Sequence, residues 1–334
     1  MKVTVLGTGQ WGTTLSQVLC DSNNDVILWG RNSVAVNEIN SIHKNFKALG
    51  AAQLPDSLRA TTSLSEAMSH AQMLVLALPT RVLRQTLGEC ISVMKREIPV
   101  ISSMKGIEPA TSQRISQVIG EVLKVGEEKI AILTGPNLAK EVVLRQPVGA
   151  VVASTSQELA ENVAGVFGNS YFRVYTSNDV VGCELAAAAK NVIAVAVGIS
   201  VGMGFGENTQ ALVITRGLNE LTRLGMAFGA APLTFVGLAG VGDLLATCGS
   251  PLSRNRSFGE ILGRTGSMEE ASAGVTSTVE GVATASAIVA IAKEKGIEVP
   301  IMSAVAAVVR NEITPEQAMI GLMSITTGVE IDHT

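Results

Sequence analysis

Histidine, cysteine and aromatic residues are scarce in this chain of 334 residues. The three histidines, His43, His70 and His333, lie far apart in sequence and no cysteine supports them, so a zinc site is not expected. The four cysteines show neither a CxxC motif nor the spacing of a disulfide framework, which fits a reducing cytoplasm. An acid–base enzyme with so little histidine would need lysine or a carboxylate to carry the proton.

The sequence also lacks long basic runs and an obvious leader. The net charge is −4 and no Lys/Arg-rich run is present, so nucleic-acid binding is not expected. The first residues, MKVTVLG, do not place a basic region before a long apolar stretch, which argues against a signal peptide. Mean hydropathy is +0.36, yet the best candidate span, residues 185–201, is short and contains Lys190 and Asn191. We therefore expect a buried helix of a soluble, cytoplasmic protein there.

Short apolar runs alternate with helical patterns in the first half of the chain. Several runs, such as MLVLAL, are continuously apolar, which is typical of strands that are covered on both faces. This alternation predicts a doubly wound, mostly parallel sheet over residues 1–178, and the long Ala/Gly/Leu segments that follow predict an all-helical domain over 179–334. The predicted strands are Val3–Leu6, Val26–Trp29, Met73–Leu78, Val100–Ser103, Ile130–Thr134, Ala150–Ser154 and Phe172–Tyr175.

Lys190 lies inside LAAAAKN, an otherwise small and apolar segment that favours helix. Burial of an ammonium is costly without a partner and lowers its pKa, so a lysine in this place is a candidate proton donor or anion ligand. The alternative is a lysine that extends from an Ala-rich helix to the surface. The segment alone does not distinguish the two.

Residues 7–12 read GTGQWG, directly after an apolar strand and before a helical pattern. In this context Gly7 allows a tight turn, Gly9 lets the backbone approach a pyrophosphate, and Gly12 permits close packing of helix on strand. The N-terminus of the helix would offer free N–H groups to the phosphates. The first domain is therefore predicted to be a Rossmann-type, dinucleotide-binding domain.

The end of the second predicted strand discriminates between the two nicotinamide cofactors. NAD-selective sites usually place Asp or Glu there, but this chain reads DVILWGRN, with Arg31 where a 2′-phosphate would lie. Since a guanidinium matches phosphate geometry well, NADPH is predicted to be accepted and preferred, with NADH also used. The alternative is an ordinary solvated arginine.

Further glycine-containing polar segments resemble the bacterial NAD(P)-dependent glycerol-3-phosphate dehydrogenases. With the glycine loop and the LAAAAKN helix, they follow the family's order and spacing over nearly the whole chain. The AKN, GDLLATC and SPLSRNRSFG segments resemble this family rather than Rossmann enzymes in general. The other segments are SSMKG (102–106), GPNLAKE (135–141), GMGFGENTQALVITRGLNEL (202–221) and TVEGVATA (278–285).

The resemblance implies reversible hydride transfer between NAD(P)H and the C2 carbonyl of dihydroxyacetone phosphate, giving sn-glycerol 3-phosphate for phospholipid synthesis. It assigns Lys190 as general acid and base and Asp243 as its carboxylate partner. Residues 179–334 would then bind substrate. The resemblance implies cofactor contacts at Gln10, Trp11, Arg31, Lys105, Ala139, Arg254 and Glu280, beside the glycines of the loop, and substrate contacts at Lys105, Gly135, Asn137, Lys190, Asn191, Asp243, Thr247, Ser253, Arg254 and Asn255.

For some of these residues, the side-chain chemistry and the helix spacing also indicate a role. Thr247 lies one helical turn after Asp243, so both are expected on one helix face, although core hydrogen bonding would explain Thr247 equally well. Arg254 supplies a planar cation suited to phosphate, flanked by the neutral donors Ser253 and Asn255. Arg256 is expected to be a solvated charge.

The chain departs from the family pattern at a few positions. Bacterial members often have Ser where Gln10 stands and Ser-Phe where Asn137 and Leu138 stand. Gln10 would still offer its backbone N–H, and Asn137 keeps a donor and an acceptor. The segment 43–55 matches a family loop only loosely, so no site role is predicted for it.

Two other functions remain open from the sequence. A related two-domain dehydrogenase of another phosphorylated or hydroxy-acid substrate would not be expected to carry GDLLATC followed by SPLSRNR. A non-catalytic NADPH-sensing module would be expected to lose the proton donor or its partner, yet Lys190 and Asp243 are both present. The apolar helical half is compatible with a homodimer interface, but a core within one chain explains it as well.

Overall fold

The computed structural model describes residues 1–94, 97–275 and 279–325, and its first half is built on one eight-stranded sheet. The strand order is β3-β2-β1-β4-β5-β6-β7-β8, and every neighbouring pair is parallel except β6 and β7. The expected doubly wound, mostly parallel sheet is confirmed. The strands are β1 (Lys2–Leu6), β2 (Asp25–Trp29), β3 (Arg59–Thr61), β4 (Met73–Leu76), β5 (Val100–Ser102), β6 (Ile130–Thr134), β7 (Val148–Ala153) and β8 (Phe172–Ser177).

Helices cover both faces of the sheet, so the residues of the central strands are buried on both sides. The continuously apolar runs of the sequence form these strands. All residues of β4 and β6 are buried, as the continuous run MLVLAL indicated. The strand β3 was not predicted from the sequence, because it is a three-residue edge strand that carries an arginine and has no apolar run. The antiparallel pairing in the mostly parallel sheet is that of β6 with β7, and β8 pairs in parallel with β7.

The helices of the first half connect the strands and pack on the two faces of the sheet. Short 3₁₀ turns at Thr80–Val82 and Glu127–Lys129 precede α5 and β6. The helices are α1 (Gln10–Asp21), α2 (Ser33–Ile42), α3 (Phe46–Leu49), α4 (Leu64–His70), α5 (Leu83–Ile91), α6 (Ile115–Leu123), α7 (Ala139–Val142) and α8 (Gln157–Phe167).

The long helix α9 (Val180–Gly202) is the centre of the second half, which is helical as expected. Asp179 caps its N-terminus by accepting a hydrogen bond from Gly182 N at 2.8 Å. Ala186–Ala189 are almost fully buried. A π-helical turn, Leu238–Gly242, leads into α12. The remaining helices are α10 (Glu207–Ala227), α11 (Pro232–Phe235), α12 (Asp243–Gly249), α13 (Arg254–Thr265), α14 (Met268–Ala273), α15 (Glu280–Glu294), α16 (Pro300–Val309) and α17 (Pro315–Met323).

Glycines let α13 pack backbone to backbone on α9. A Cβ at Gly259 would lie 2.2 Å from Val195 O, and a Cβ at Gly198 would lie 2.1 Å from Arg256 O. Gly263 makes an equally close approach to Ile199 O one turn further along. This close crossing brings the N-terminal end of α13, with its Ser-Arg-Asn sequence, to the middle of α9, where Lys190 lies.

Two segments among the described residues are long and apolar enough to cross a membrane by length and composition. They are Val180–Gly202 and Pro232–Gly249, whose most apolar windows are 83% and 39% buried within the protein. The first contains the segment 185–201, which was predicted to be a buried helix, and its burial agrees with that prediction. The last strand of the sheet ends at Ser177, and α9 begins at Val180. The division into two domains at residue 178 stays a prediction. Residues 326–334 of the predicted second domain lie outside the described residues.

Candidate active site at the carboxyl edge of the sheet

The glycine loop joins β1 to α1 and has no room for side chains at two of its three glycines. Gly7 has a φ of +123°, and a Cβ there would lie 2.3 Å from Ala77 O. A Cβ at Gly12 would lie 1.9 Å from Gly7 O, whereas one at Gly9 would meet nothing within 4 Å. Gly7 and Gly12 are needed for packing, and Gly9 faces open space from which a ligand can approach the backbone.

The N-terminus of α1 offers unsatisfied donors beside that open space. Gly9 is the N-cap and gives no side-chain hydrogen bond, and the first turn contains no acidic residue. Within the described ranges, the backbone N–H groups of Gln10, Trp11 and Gly12 have no protein acceptor. Free N–H groups and the helix dipole favour an anion, so the loop fits the pyrophosphate of a dinucleotide.

Two other predicted cofactor residues flank this loop. The indole Nε1 of Trp11 is buried and has no hydrogen-bond partner among the described residues. Arg31 follows β2, lies over the ring of Trp29 at 5.9 Å and forms an ion pair with Glu89 at 2.9 Å. The predicted phosphate ligand is therefore already held by a carboxylate in this structure.

Lys190 is buried on α9 and bound by two residues of α12. Its Nζ donates to Asp243 Oδ1 at 2.6 Å and to Thr247 Oγ1 at 2.6 Å. Its exposed fraction is 5% and that of Asp243 is 1%. The lysine does not extend to the surface, and its charge has a buried partner, which makes the burial tolerable.

Lys105 binds the other oxygen of the same carboxylate. It follows β5, and its Nζ donates to Asp243 Oδ2 at 2.7 Å and to Gly135 O at 3.0 Å. Gly135 follows β6 with a φ of +132°. Asp243 therefore lies between two ammonium groups at the carboxyl edge of the sheet, which is where open α/β sheets bind ligands.

The pKa values of Lys190 and Asp243 both lie below their usual range, for different reasons. Burial lowers the pKa of Lys190 to about 8, with the Lys105 ammonium acting in the same direction and Asp243 opposing both. Burial alone would raise the pKa of Asp243, but the ammonium groups of Lys105 and Lys190 outweigh it and hold that pKa below its usual range. The site thus combines a permanent carboxylate with an ammonium whose pKa lies near neutrality.

Amide side chains connect this charge cluster to α13 and α15. Asn191 Nδ2 donates to Lys105 O at 3.2 Å, and Asn255 Nδ2 donates to Asn191 Oδ1 at 2.9 Å. Asn255 Oδ1 accepts from Gly281 N at 2.9 Å. Both atoms of the Asn255 amide are therefore used within the protein, which supports a positioning role beside any contact with substrate.

Unsatisfied polar atoms lie at the end of β6 and directly after it, at the same edge of the sheet. Asn137 Nδ2 and Oδ1 and Thr134 Oγ1 are all buried without a hydrogen-bond partner in the described part of the chain. Buried polar groups are usually paired, so these atoms mark a place for a polar ligand. The contact with substrate at Asn137 stays a prediction, and its unpaired amide leaves both a donor and an acceptor for it. Ala139, predicted to contact cofactor, begins α7 two residues later.

The remaining predicted residues lie at the N-termini of α13 and α15. Ser253 Oγ caps α13 by accepting from Arg256 N at 3.3 Å, which leaves its hydroxyl hydrogen free to donate. The side chain of Arg254 is exposed to solvent, but its guanidinium is partly desolvated by nearby residues, which lowers its pKa. The negative charge of Glu280 opposes this shift. Burial raises the pKa of Glu280, against a hydrogen bond from Thr80 at 3.3 Å.

Three features were not found from the sequence. One is the Lys105–Asp243 contact, because it joins residues 138 positions apart. Thr80 was missed because a single threonine after an apolar strand is a common pattern. Asn45 lies in the segment to which no role was given, yet its buried amide donates to Thr8 O at 3.0 Å and Thr13 Oγ1 at 2.9 Å, fixing that segment to the glycine loop.

Comparison with known proteins finds one family over almost the entire chain. Models of the N-terminal and C-terminal parts of NAD-dependent glycerol-3-phosphate dehydrogenase match residues 2–160 and 179–320. The chain belongs to the NAD-dependent glycerol-3-phosphate dehydrogenase family. The predicted family is confirmed, and with it the nicotinamide-dependent dehydrogenase class.

Individual relatives are similar to this chain over almost its full length, in sequence and in structure. The glycerol-3-phosphate dehydrogenase [NAD(P)+] of Streptomyces coelicolor is 46% identical over 324 residues, which are 97% of this chain and 96% of the relative. That of Thermobifida fusca is also 46% identical over 324 residues, with the same coverage of 97% and 96%. The crystal structure of the Coxiella burnetii glycerol-3-phosphate dehydrogenase aligns with a TM-score of 0.92 at 30% identity, covering 96% of this chain and 98% of that one.

Proposed function

We propose that this protein catalyses the reversible, NAD(P)H-dependent reduction of dihydroxyacetone phosphate to sn-glycerol 3-phosphate in the cytoplasm, supplying glycerophospholipid synthesis. Family membership and the names of its relatives support the reaction. The observation that carries the proposal is the buried Lys190–Asp243–Lys105 cluster at the sheet edge that also carries the glycine loop. Residues 1–178 would bind cofactor and residues 179–334 substrate.

The residues present fit a nicotinamide dinucleotide. The open space at Gly9 and the free N–H groups of α1 suit its pyrophosphate, and Trp11 and Arg31 would flank its adenosine portion. We assign Lys105, Ala139, Arg254 and Glu280 to the same cofactor. When bound, the nicotinamide supplies or accepts the hydride.

Lys190 carries the proton in this proposal. Its ammonium would polarise the C2 carbonyl and donate a proton from Nζ to the developing alkoxide oxygen, and the neutral amine would take that proton back in the oxidative direction. A pKa of about 8 makes both protonation states accessible near neutral pH. General acid catalysis of this kind typically contributes about 10²–10⁴-fold.

Asp243 and Thr247 fix the direction of the Lys190 ammonium. Their bonds, both 2.6 Å long, use two of its three hydrogens, so one remains for the substrate oxygen. A donor held in one geometry lowers the entropic cost of reaching the transition state. The same network draws Lys105 to the opposite oxygen of Asp243, where it can contact cofactor and substrate.

The substrate phosphate would be bound at the N-terminus of α13. Arg254 supplies the charge, and Ser253 and Asn255 supply neutral donors beside the dipole of a helix of 12 residues. The unsatisfied amide of Asn137, together with Gly135 and Asn191, would contact the hydroxyl and carbonyl end.

A direct assay tests the reaction. Purified protein is mixed with NADPH and dihydroxyacetone phosphate, and the loss of nicotinamide absorbance is followed, with pyruvate and ketopantoate as control substrates. We expect turnover only with the phosphorylated ketone. No turnover by protein that demonstrably binds NADPH would leave a non-catalytic module, and turnover of a control acid alone would indicate a different dehydrogenase. Light scattering would distinguish a homodimer from a monomer, the two states that the apolar helical half leaves open.

A further inference from the structure

The charge that is predicted to select NADPH is neutralised within the protein. Arg31 Nη2 lies 2.9 Å from Glu89 Oε1 and 3.0 Å from Oε2, and Gln85 Nε2 donates to the same Oε1 at 3.0 Å. Glu89 lies on α5, the helix after β4, whereas Arg31 follows β2. The ion pair therefore joins two elements on either side of β1, at whose end the glycine loop begins.

The end of β2 has no room for the carboxylate that NAD-selective sites place there. Gly30 follows the strand directly, and a Cβ at that position would lie 2.4 Å from both Cγ2 and Oγ1 of Thr8. A side chain at position 30 would collide with the glycine loop. Glu89 brings a carboxylate to this corner from α5, through its ion pair with Arg31.

We infer that Glu89 determines cofactor specificity by opposing the 2′-phosphate of NADPH at Arg31. This inference rests on the cofactor site of the proposed function. A 2′-phosphate carries up to two negative charges, so its approach to Arg31 must break or share the ion pair and place like charges close together. The 2′-hydroxyl of NADH carries no charge and can donate a hydrogen bond to a carboxylate. Glu89 thus weakens NADPH binding without weakening NADH binding, and the Arg31–Glu89 pair lets one site accept either cofactor.

The test compares dissociation constants of the wild type and E89Q for NADPH and NADH, measured by cofactor fluorescence without substrate. Both partners are about half exposed, so solvent screens the interaction, and we expect about 3- to 10-fold tighter NADPH binding by E89Q at low salt. The NADH constant should stay the same or rise. The gain for NADPH should shrink in 0.5 M salt, because the Debye length falls to a few ångströms.

Two further variants make the result specific. D25N removes an exposed ion pair at the opposite end of β2, Arg59–Asp25 at 2.8 Å, and should change neither constant. R31Q should lose most of the affinity for NADPH, and R31Q/E89Q should not regain it fully.

An unchanged ratio of the two constants in E89Q, or weaker NADPH binding, would overturn the inference. Failure of the wild type to bind either cofactor would instead refute the proposed function. Binding of both cofactors without turnover would refute the proposed reaction alone.

Discussion

Replacement of Asp243 by asparagine tests how the charge cluster controls the proton donor. The substitution keeps the size of the side chain and removes the negative charge between Lys190 and Lys105, which lie 2.6 Å and 2.7 Å from its two oxygens. The two ammonium groups then repel each other without a carboxylate between them. Both the stability of the fold and the pKa of Lys190 are expected to fall.

The size of each effect follows from the burial of the pair. Removing one partner of a buried ion pair typically costs about 3–5 kcal/mol, and the hydrogen bond of Lys190 to Thr247 at 2.6 Å remains as partial compensation. A close opposite charge usually shifts a pKa by about 1–3 units, so the pKa of Lys190 should move from about 8 into the range of roughly 5–7. Most Lys190 would then be neutral at pH 7.5.

The pH profile of carbonyl reduction measures this shift. Because reduction needs the ammonium, kcat/KM should fall as pH rises through the pKa of Lys190, and in D243N this fall should begin about 1–3 pH units lower. E184Q is the control. Glu184 is a buried carboxylate of α9 paired with Arg114 at 2.7 Å, away from the site, so E184Q should lose stability without moving the profile. A folded D243N with an unmoved profile would refute the assignment.

Three further results are expected. R254A should raise the KM for dihydroxyacetone phosphate about 10- to 100-fold with a smaller change in kcat, since a charged hydrogen bond is lost; an unchanged KM would remove the anion clamp. G259A should lower the free energy of unfolding by about 1–3 kcal/mol, because its Cβ would lie 2.2 Å from a backbone oxygen. The control G165A, whose Cβ would meet nothing within 4 Å, should raise that free energy by about 0.5–1 kcal/mol. Equal effects of the two variants in urea unfolding would contradict the packing argument. Burial raises the pKa of Glu220 to about 7, so between pH 4.5 and 7 the folded protein binds a proton that the unfolded chain has lost, and stability should fall as pH rises through this range. E220Q should flatten this dependence of stability on pH. A dependence equal to that of the wild type would refute the role of Glu220.

The sequence predicted those parts of the fold that depend on local pattern. Continuous apolar runs identified the buried strands, and the change from strand-like to Ala-rich segments located the start of the helical half. The edge strand β3 was not predicted, because Arg59–Thr61 contains no apolar run. The reversed direction of β7 escaped because an apolar strand has the same composition whichever way it runs.

The sequence pointed to Lys190 and Asp243 as candidate site residues, but it did not predict the contacts that join the charge cluster. Lys190 is conspicuous because an ammonium in an alanine segment needs a partner, and the resemblance to the family supplied Asp243. That Lys105 shares this carboxylate depends on the meeting of β5 and α12 in space. The Arg31–Glu89 pair likewise joins residues 58 positions apart, which no local pattern reveals.

The most direct test of the central claim is the turnover of K190M. Methionine fills the volume of the lysine stem, and Asp243 keeps Lys105 at 2.7 Å, so the fold and the cofactor site should persist. We expect kcat to fall about 10²–10⁴-fold while the dissociation constant of NADPH changes less than about threefold. A kcat near that of the wild type would show that Lys190 does not carry the proton.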